Sequence, residues 1–216
     1  MISADEALQR LREGNLRFVS ESRNGGDRAG ESRRRKVAVA QNPFAIILGC
    51  SDSRVPAELV FDQSFGDLFV IRVAGNIVAP SQVGSVEFAA SRFGTRLVVV
   101  MGHSQCGAIT ATLEELQGRA TSQSRNLRSI VERVRPSVET LLNGRRDIDP
   151  DALIRGAVRA NVRASVNHLR HGSELLERLI PEIGLLVVGA EYSLETGVVD
   201  FFENIPDAAE IRPVSS

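Results

Sequence analysis

Four short runs of aliphatic residues, separated by stretches with helical spacing, are the feature that most restricts the fold of this chain. The runs are FAIILG at 44–49, LFVIRVAG at 68–75, RLVVVMGH at 96–103 and GLLVVGAEY at 184–192. Strands that are apolar at nearly every position are typical of parallel sheets buried on both faces. We therefore predict an α/β fold. It has a mostly parallel central sheet of four strands plus a short fifth strand, GVVDFF at 197–202, and helices on both faces.

The N-terminal segment predicts a helix followed by an irregular stretch. Ser3 and Glu6 have the spacing of a capping box, and apolar residues then recur at helical intervals. The polar stretch at 21–36 contains glycines and many charges, so we expect a loop or a mobile arm there. Residues 1–36 are thus predicted to form an N-terminal helical arm and loop, and residues 37–216 a single α/β domain.

Further helices are expected between the strands of this domain. The segment SQVGSVEFAASRFG has helical spacing, with Ser81 as a candidate N-cap and Gly94 as a stop. The other helices are expected at 106–118, 125–142 and 150–180, and the last should end before Pro181. In such a fold the functional site lies beyond the carboxyl ends of the strands, where helices diverge to opposite faces.

The charge balance and the N-terminal sequence argue against several classes of function. The formal net charge is −1, so no global field favours nucleic acid or a membrane surface as a partner. No apolar run approaches the roughly 20 residues that span a bilayer, and the N-terminus lacks the pattern of a secretory signal. We therefore expect a cytoplasmic protein. In a reducing compartment its 2 cysteines suit metal binding or catalysis better than a disulfide.

Both cysteines and one histidine stand at the ends of predicted strands. Cys50 follows the first strand, His103 ends the third, and Cys106 comes soon after, where a helix begins. Two thiolates and one imidazole suit Zn²⁺, and three protein ligands leave the fourth tetrahedral position open, as catalytic zinc requires. Two other interpretations stay open: the cysteines are small buried apolar residues, or they form a redox pair. His168 and His171 lie on a polar helix, and we interpret them as solvated.

Asp52 and Arg54 follow Cys50 at alternate positions, so their side chains can turn toward the same crevice. Asp52 could be a fourth zinc ligand, which closes the site, or it could accept a hydrogen bond from zinc-bound hydroxide. A planar guanidinium can hold a carboxylate in a bidentate pair, and pairing with Arg54 would keep Asp52 off the metal. The simpler interpretation is an ordinary ion pair on the surface.

These motifs resemble those of the β-class carbonic anhydrases. The segments CSDSRVP and GHSQCGA carry the resemblance, which continues through FDQSFGDLFVIRVAGN and GSVEFA. The family implies one Zn²⁺ per subunit, held by Cys50, His103 and Cys106, and the reversible hydration of CO₂ to bicarbonate and a proton. It also implies that zinc hydroxide attacks CO₂ while a dyad of Asp52 and Arg54 orients the hydroxide.

The resemblance extends to substrate-binding residues and to assembly. The resemblance matches three residues to pocket positions of the plant-like branch: Gln41, Phe69 and Phe88. In that branch the glutamine amide helps hold bicarbonate, and the two phenylalanine rings form an apolar surface that excludes water beneath the substrate. Gly107 would offer its backbone N–H. In the family the pocket lies at a dimer interface, so Gln41 and Phe88 are expected to serve the neighbouring subunit. A homodimer or homotetramer is implied.

Two rival functions would use the same residues. Some relatives hydrolyse carbonyl sulfide or carbon disulfide, which are linear molecules like CO₂. The second rival is a non-enzymatic zinc or thiol protein. A purely structural zinc site normally has four protein ligands, so the structural-zinc form of this second rival would require Asp52 as the fourth ligand.

Overall fold

The architecture is a five-stranded sheet with helices packed against both faces. A computed structural model describes residues 1–22, 30–120, 124–142 and 149–206. The strands are β1 (Ala45–Gly49), β2 (Leu68–Arg72), β3 (Leu97–His103), β4 (Leu186–Tyr192) and β5 (Val199–Glu203). Their order is β2-β1-β3-β4-β5; the first four are parallel, and β5 pairs with β4 in the antiparallel direction. The predicted α/β class with four strands and a short fifth is confirmed.

Two helices precede the first strand in the chain, and the other six lie between strands, as the sequence pattern indicates. They are α1 (Ala4–Val19), α2 (Glu31–Ala38), α3 (Ala57–Val60), α4 (Pro80–Phe93), α5 (Gly107–Leu116), α6 (Arg125–Leu142), α7 (Pro150–His171) and α8 (Glu174–Ile183). A short 3₁₀ turn, Ala74–Asn76, follows β2. None of the described helices has the length and apolar character needed to cross a membrane.

Alternate residues of each central strand are buried on opposite faces of the sheet. Ile47 and Val99 belong to a cluster that includes apolar residues of α1 and α3, whereas Ile46 and Val98 pack with residues of α4, α7 and α8. All four side chains are completely buried, and each contributes about 1.5–3 kcal/mol to folding through the apolar surface it removes from water. Burial on both faces explains why these strands are apolar at nearly every position.

Helix α1 is joined to distant parts of its own chain through Asn15, which is buried. The Asn15 Nδ2 donates hydrogen bonds to the backbone oxygens of Val60 (3.1 Å) and Gly197 (2.8 Å). Its Oδ1 accepts a hydrogen bond of 2.8 Å from the backbone N–H of Val199, the first residue of β5. All the polar atoms of this buried amide are therefore satisfied, and α1 is fixed against its own sheet.

The expectation of a loop throughout 21–36 was wrong. Helix α2 begins at Glu31, while residues 23–29 lie outside the described residues. None of the residues of α2 is buried, so no apolar spacing signals this helix in the sequence. Contacts with the rest of the fold hold it instead: Arg33 forms an ion pair of 2.8 Å with Asp67.

The expectation of one helix at 150–180 was also wrong, because α7 ends at His171 and α8 begins at Glu174. The Ser173 side chain caps α8 by accepting a hydrogen bond of 3.2 Å from the N–H of Leu176. Pro181 therefore lies inside α8 rather than beyond the end of a helix.

Helix α4 begins and ends close to the expected residues. Its N-cap is Ala79 rather than Ser81, because Pro80 occupies the first turn, where the fixed φ and the missing N–H of proline are tolerated best. Gly94 ends the helix as expected, in the left-handed conformation with φ 64°.

Candidate metal centre

Two cysteines and a histidine that are far apart in the sequence meet at the carboxyl ends of β1 and β3. Cys50 directly follows β1, His103 is the last residue of β3, and Cys106 is the N-cap residue of α5. The three potential ligand atoms all lie within 4.8 Å of one another, and all three residues are buried. Parallel neighbouring strands end at the same edge of the sheet, so this topology itself brings Cys50 to His103.

The hydrogen bonding of His103 leaves one ring nitrogen available. Its Nδ1 lies 2.9 Å from the backbone oxygen of Ser104, so Nδ1 carries the proton and donates to this carbonyl. Within the described part of the chain, the buried Nε2 has no hydrogen-bond partner. An imidazole that donates through one nitrogen to a carbonyl and directs the other toward two sulfurs has the arrangement of a metal ligand.

The two cysteine sulfurs lie 4.0 Å apart and share their protons unequally. The pKa of Cys50 is lowered, chiefly because the Cys106 side chain hydrogen-bonds to its sulfur, and burial opposes this effect. The pKa of Cys106 is raised because its thiol is held in the hydrogen bond to Cys50 and is buried. The pair therefore offers one thiolate readily, and a cation is needed to hold both sulfurs in the charged form.

Asp52 and Arg54 form a bidentate ion pair beside these ligands. The Arg54 Nε donates to Asp52 Oδ1 at 2.9 Å, and a terminal nitrogen donates to Oδ2 at 2.8 Å. These hydrogen bonds hold the pKa of Asp52 well below its usual range, against the opposing effect of burial. Asp52 Oδ2 lies 3.9 Å from the Nε2 of His103, so the ionised carboxylate faces the centre of the three-residue group.

Arg72 and Gly75, which sequence reasoning did not connect with this group, also contact it. The Arg72 guanidinium donates to the backbone oxygens of Cys50 (3.0 Å) and Asp52 (2.6 Å), and the Gly75 N–H lies 3.3 Å from the Cys50 sulfur. The pairing of β2 with β1 brings both residues close to Cys50, because it places Arg72 opposite Gly49 and the turn that contains Gly75 follows β2. The sequence signals the strands but not which atoms meet at their ends.

The three residues expected to line the pocket lie elsewhere in the same chain. Phe69 pairs with Ile46, four residues before Cys50, which is a distance of about 13 Å along the strand. The Phe88 ring lies 6.2 Å from the Phe69 ring and is 53% exposed, and Gln41 is exposed in the segment before β1. One subunit does not bring these three side chains to the cysteines.

Gly107, by contrast, lies next to the group as the first residue of α5. The N–H groups of the first turn of a helix have no partner within the helix, and a side chain added at Gly107 would meet no atom within 4 Å. Gly107 and Ala74 contribute to a cavity of about 350 Å³ whose other walls include Leu127, Ile130 and Val131. The cavity is largely apolar, which suits a small uncharged molecule.

Comparisons with known proteins agree on one family. The family model for carbonic anhydrase matches residues 45–199. Carbonic anhydrase 2 of Mycobacterium tuberculosis is 36% identical over 204 residues, which cover 94% of this chain and 95% of that protein. The carbonic anhydrase of Mycolicibacterium smegmatis is 35% identical over 206 residues, covering 95% of this chain and 96% of the relative.

The architecture agrees with the same family. The crystal structure of the β-carbonic anhydrase CafA from Aspergillus fumigatus superposes with a TM-score of 0.73, at 23% sequence identity. The superposition covers 95% of this chain and 93% of that one, which extends the similarity of fold to nearly the whole described molecule. The sequence match, the fold and the group of two cysteines and a histidine together show that this chain belongs to the β-class carbonic anhydrases, enzymes that interconvert carbon dioxide and bicarbonate.

Proposed function

We propose that the enzyme catalyses the reaction CO₂ + H₂O ⇌ HCO₃⁻ + H⁺ at one Zn²⁺ per subunit, held by Cys50, His103 and Cys106. The single observation that carries the proposal is the convergence of three ligand atoms of these residues within 4.8 Å. The carboxylate of Asp52 lies beside these three residues, with Oδ2 3.9 Å from the Nε2 of His103, and is a possible additional ligand.

The chemistry and spacing of these atoms fit a zinc ion. Two sulfurs bound to one tetrahedral zinc at about 2.3 Å each lie about 3.8 Å apart, and the sulfurs of Cys50 and Cys106 are separated by 4.0 Å. The buried Nε2 of His103 has no hydrogen-bond partner among the described residues, and a bound zinc ion would give it the partner that a buried polar atom needs. Three protein ligands leave one coordination position for the reaction.

When bound, zinc lowers the pKa of a water molecule and so supplies the nucleophile at neutral pH. The neighbouring residues determine how that water meets CO₂. Asp52 accepts a hydrogen bond from the reacting water and so fixes the direction in which its lone pair points. Because the pKa of Asp52 is held low by Arg54, the carboxylate stays ionised and can accept this bond throughout the working range of pH.

Arg54 decides between the two roles that Asp52 could take. While both carboxylate oxygens are engaged by the guanidinium, Asp52 would be withheld from a metal held by the two cysteines and His103, and that metal would keep a position for water. Loss of the Arg54 contact would release a carboxylate that already lies 3.9 Å from His103 Nε2. The zinc site is therefore proposed to be open in the resting enzyme.

The substrate requires apolar surroundings, and the product requires a hydrogen-bond donor. Within one subunit, the Gly107 N–H is proposed as the donor, because Gly107 directly follows Cys106 at the start of α5; the cavity of about 350 Å³ that Gly107 also lines is not lined by the candidate metal ligands. Gln41, Phe69 and Phe88 are proposed to complete the pocket of a neighbouring subunit in a homodimer or homotetramer. Phe88, 53% exposed and in contact with Phe69 and Phe93, forms part of an apolar surface that association would cover.

Stopped-flow CO₂ hydration, measured together with zinc content, tests the proposal. Wild-type protein should contain one zinc per subunit and hydrate CO₂, and Cys50→Ser should lose both properties because serine does not provide the soft thiolate ligand. The control variant is Ser51→Ala, which alters the neighbouring exposed residue and should keep both. Reduced wild-type protein without stoichiometric zinc would overturn the proposal. Faster turnover of carbonyl sulfide than of CO₂ would assign the same site to the rival substrate.

A further inference from the structure

The turn that follows β2 delivers a backbone N–H to a sulfur of the metal centre. In this turn, Ala74–Asn76, the N–H of Gly75 lies 3.3 Å from the Cys50 sulfur. Both Gly75 (φ 68°) and Asn76 (φ 42°) adopt the left-handed conformation. This conformation is uncommon for a residue other than glycine, so the turn has to be held by surrounding contacts.

Helix α7 supplies two such contacts from one face. The Asn161 Nδ2 donates a hydrogen bond of 2.8 Å to the backbone oxygen of Gly75, and the Ser165 hydroxyl donates one of 3.2 Å to the backbone oxygen of Asn76. Asn161 and Ser165 are one helical turn apart, so they face the same side. They are 2% and 5% exposed.

The close approach of α7 to the sheet makes these hydrogen bonds possible. Val162, next to Asn161 in the helix, packs directly over Gly102 of β3. A Cβ atom at Gly102 would lie 2.7 Å from Val162 Cγ2, closer than real atoms come. The missing side chain at Gly102 thus lets α7 lie near enough for Asn161 to reach the Gly75 carbonyl.

We propose that Asn161 is a positioning residue for the metal centre. It holds the Gly75–Asn76 peptide through the Gly75 carbonyl and so keeps Gly75 in the left-handed conformation, in which the N–H of the preceding Ala74–Gly75 peptide faces the Cys50 sulfur. An N–H donor disperses part of the charge of a thiolate and restricts the direction of its lone pairs, as outer contacts of metal ligands commonly do. The inference rests on the proposed role of Cys50 as a zinc ligand.

The test measures zinc affinity rather than turnover. In Asn161→Leu the side chain keeps a similar size but loses its donor, so the zinc dissociation constant, measured by chelator competition in reduced protein, should rise by about 10- to 100-fold. The charge-transfer absorption between sulfur and metal in the Co²⁺-substituted protein should shift as well. The control is Val166→Ala, which removes buried contacts from the same helix without touching the turn; it should lower stability and leave zinc affinity unchanged.

A second variant covers the case in which Asn161→Leu does not fold. Ser165→Ala removes the hydrogen bond to the Asn76 carbonyl in the same turn and should weaken zinc binding in the same direction, by a smaller factor. The inference is overturned if Asn161→Leu, or Ser165→Ala where Asn161→Leu does not fold, binds zinc no more weakly than Val166→Ala and has an unshifted Co²⁺ spectrum. Wild-type protein that binds no zinc would overturn the proposed function as well, so the two failures are distinguishable.

Discussion

The guanidinium of Arg54 holds both carboxylate oxygens of Asp52, at 2.9 Å through Nε and at 2.8 Å through a terminal nitrogen. The same carboxylate reaches to within 3.9 Å of the buried nitrogen of His103. An acid this close to three potential metal ligands would be a ligand itself if it were free. In the proposed mechanism its pairing with Arg54 instead keeps it as a neighbour of the reacting water, and this proposal can be tested by mutation.

Replacing Asp52 with asparagine should leave zinc bound and reduce turnover strongly. The amide keeps the shape of the side chain but loses its charge, so it orients the reacting water less well and loses its bidentate partner. We expect kcat for CO₂ hydration to fall by about 10²-fold, the loss typical of a misplaced reacting group. Stopped-flow assays of zinc-replete protein measure the effect.

The matched control for this prediction is Asp67→Asn. Asp67 is also paired with an arginine, Arg33, at 2.8 Å, but it lies at the opposite end of the sheet, before β2. Its substitution should leave kcat at the wild-type value. Full activity in zinc-loaded Asp52→Asn would contradict the proposed role of the carboxylate.

Removing the guanidinium of Arg72 should loosen the loop that carries Cys50 and Asp52. The two carbonyls that Arg72 holds, at 3.0 and 2.6 Å, lose a charged donor in Arg72→Gln. We expect kcat/KM to fall by about 10-fold or more, as for other contacts behind metal ligands. The comparison variant is Arg92→Gln, at an exposed arginine of α4, and equal kcat/KM values for the two variants would count against the prediction.

Adding a methyl group at Gly102 should destabilise the fold. The new Cβ would meet Val162 at 2.7 Å and Val158 at 3.0 Å, and overpacking of this kind typically costs about 1–3 kcal/mol. Urea unfolding of Gly102→Ala measures the loss. The same substitution at Gly84, where an added Cβ meets no atom within 4 Å, should be neutral or stabilising by up to about 1 kcal/mol.

Combining Gly102→Ala with Val162→Ala tests whether the clash is the cause. The smaller side chain in α7 makes room for the added methyl, so the double variant should lose less stability than the sum of the two single variants. Strictly additive losses would show that the close approach of α7 to β3 is not what makes Gly102 necessary.

A charge at Phe88 should disrupt the proposed association of subunits. Phe88 is 53% exposed and contacts Phe69 and Phe93, so Phe88→Arg places a cation in an apolar surface and should produce smaller species in light scattering after size-exclusion chromatography. Leu59→Arg, at a residue of α3 that is also 53% exposed, is the control. An unchanged molar mass for Phe88→Arg would rule out this surface as the interface.

Features with a local cause were predictable from the sequence. The apolar runs identified the strands most clearly in β1 and β3, because these two strands are buried at every position. Gly94 marked the end of α4 because only glycine adopts its conformation, φ 64°, without cost. Cys50, His103 and Cys106 could be brought together because parallel strands end at a common edge.

Features that depend on contacts between distant segments were not predictable. Helix α2 has no buried side chain, and its stability comes from partners such as Asp67 that the local pattern does not reveal. Asn161 reaches Gly75 across 86 positions of the chain, and nothing in the neighbourhood of either residue indicates the other. Spacing pointed to the candidate ligands, whereas their supporting hydrogen bonds emerge only when helices pack.

The hydrogen bonds of Asn15 have a consequence for the order in which the protein folds. Its Oδ1 accepts from the N–H of Val199, 184 positions later in the chain, whereas its Nδ2 reaches Val60, only 45 positions away. Because a contact between distant residues forms only after a long loop closes, we expect α1 to dock first against the segment that contains α3. The bond to the start of β5 should then form in a later step that locks the helix in place.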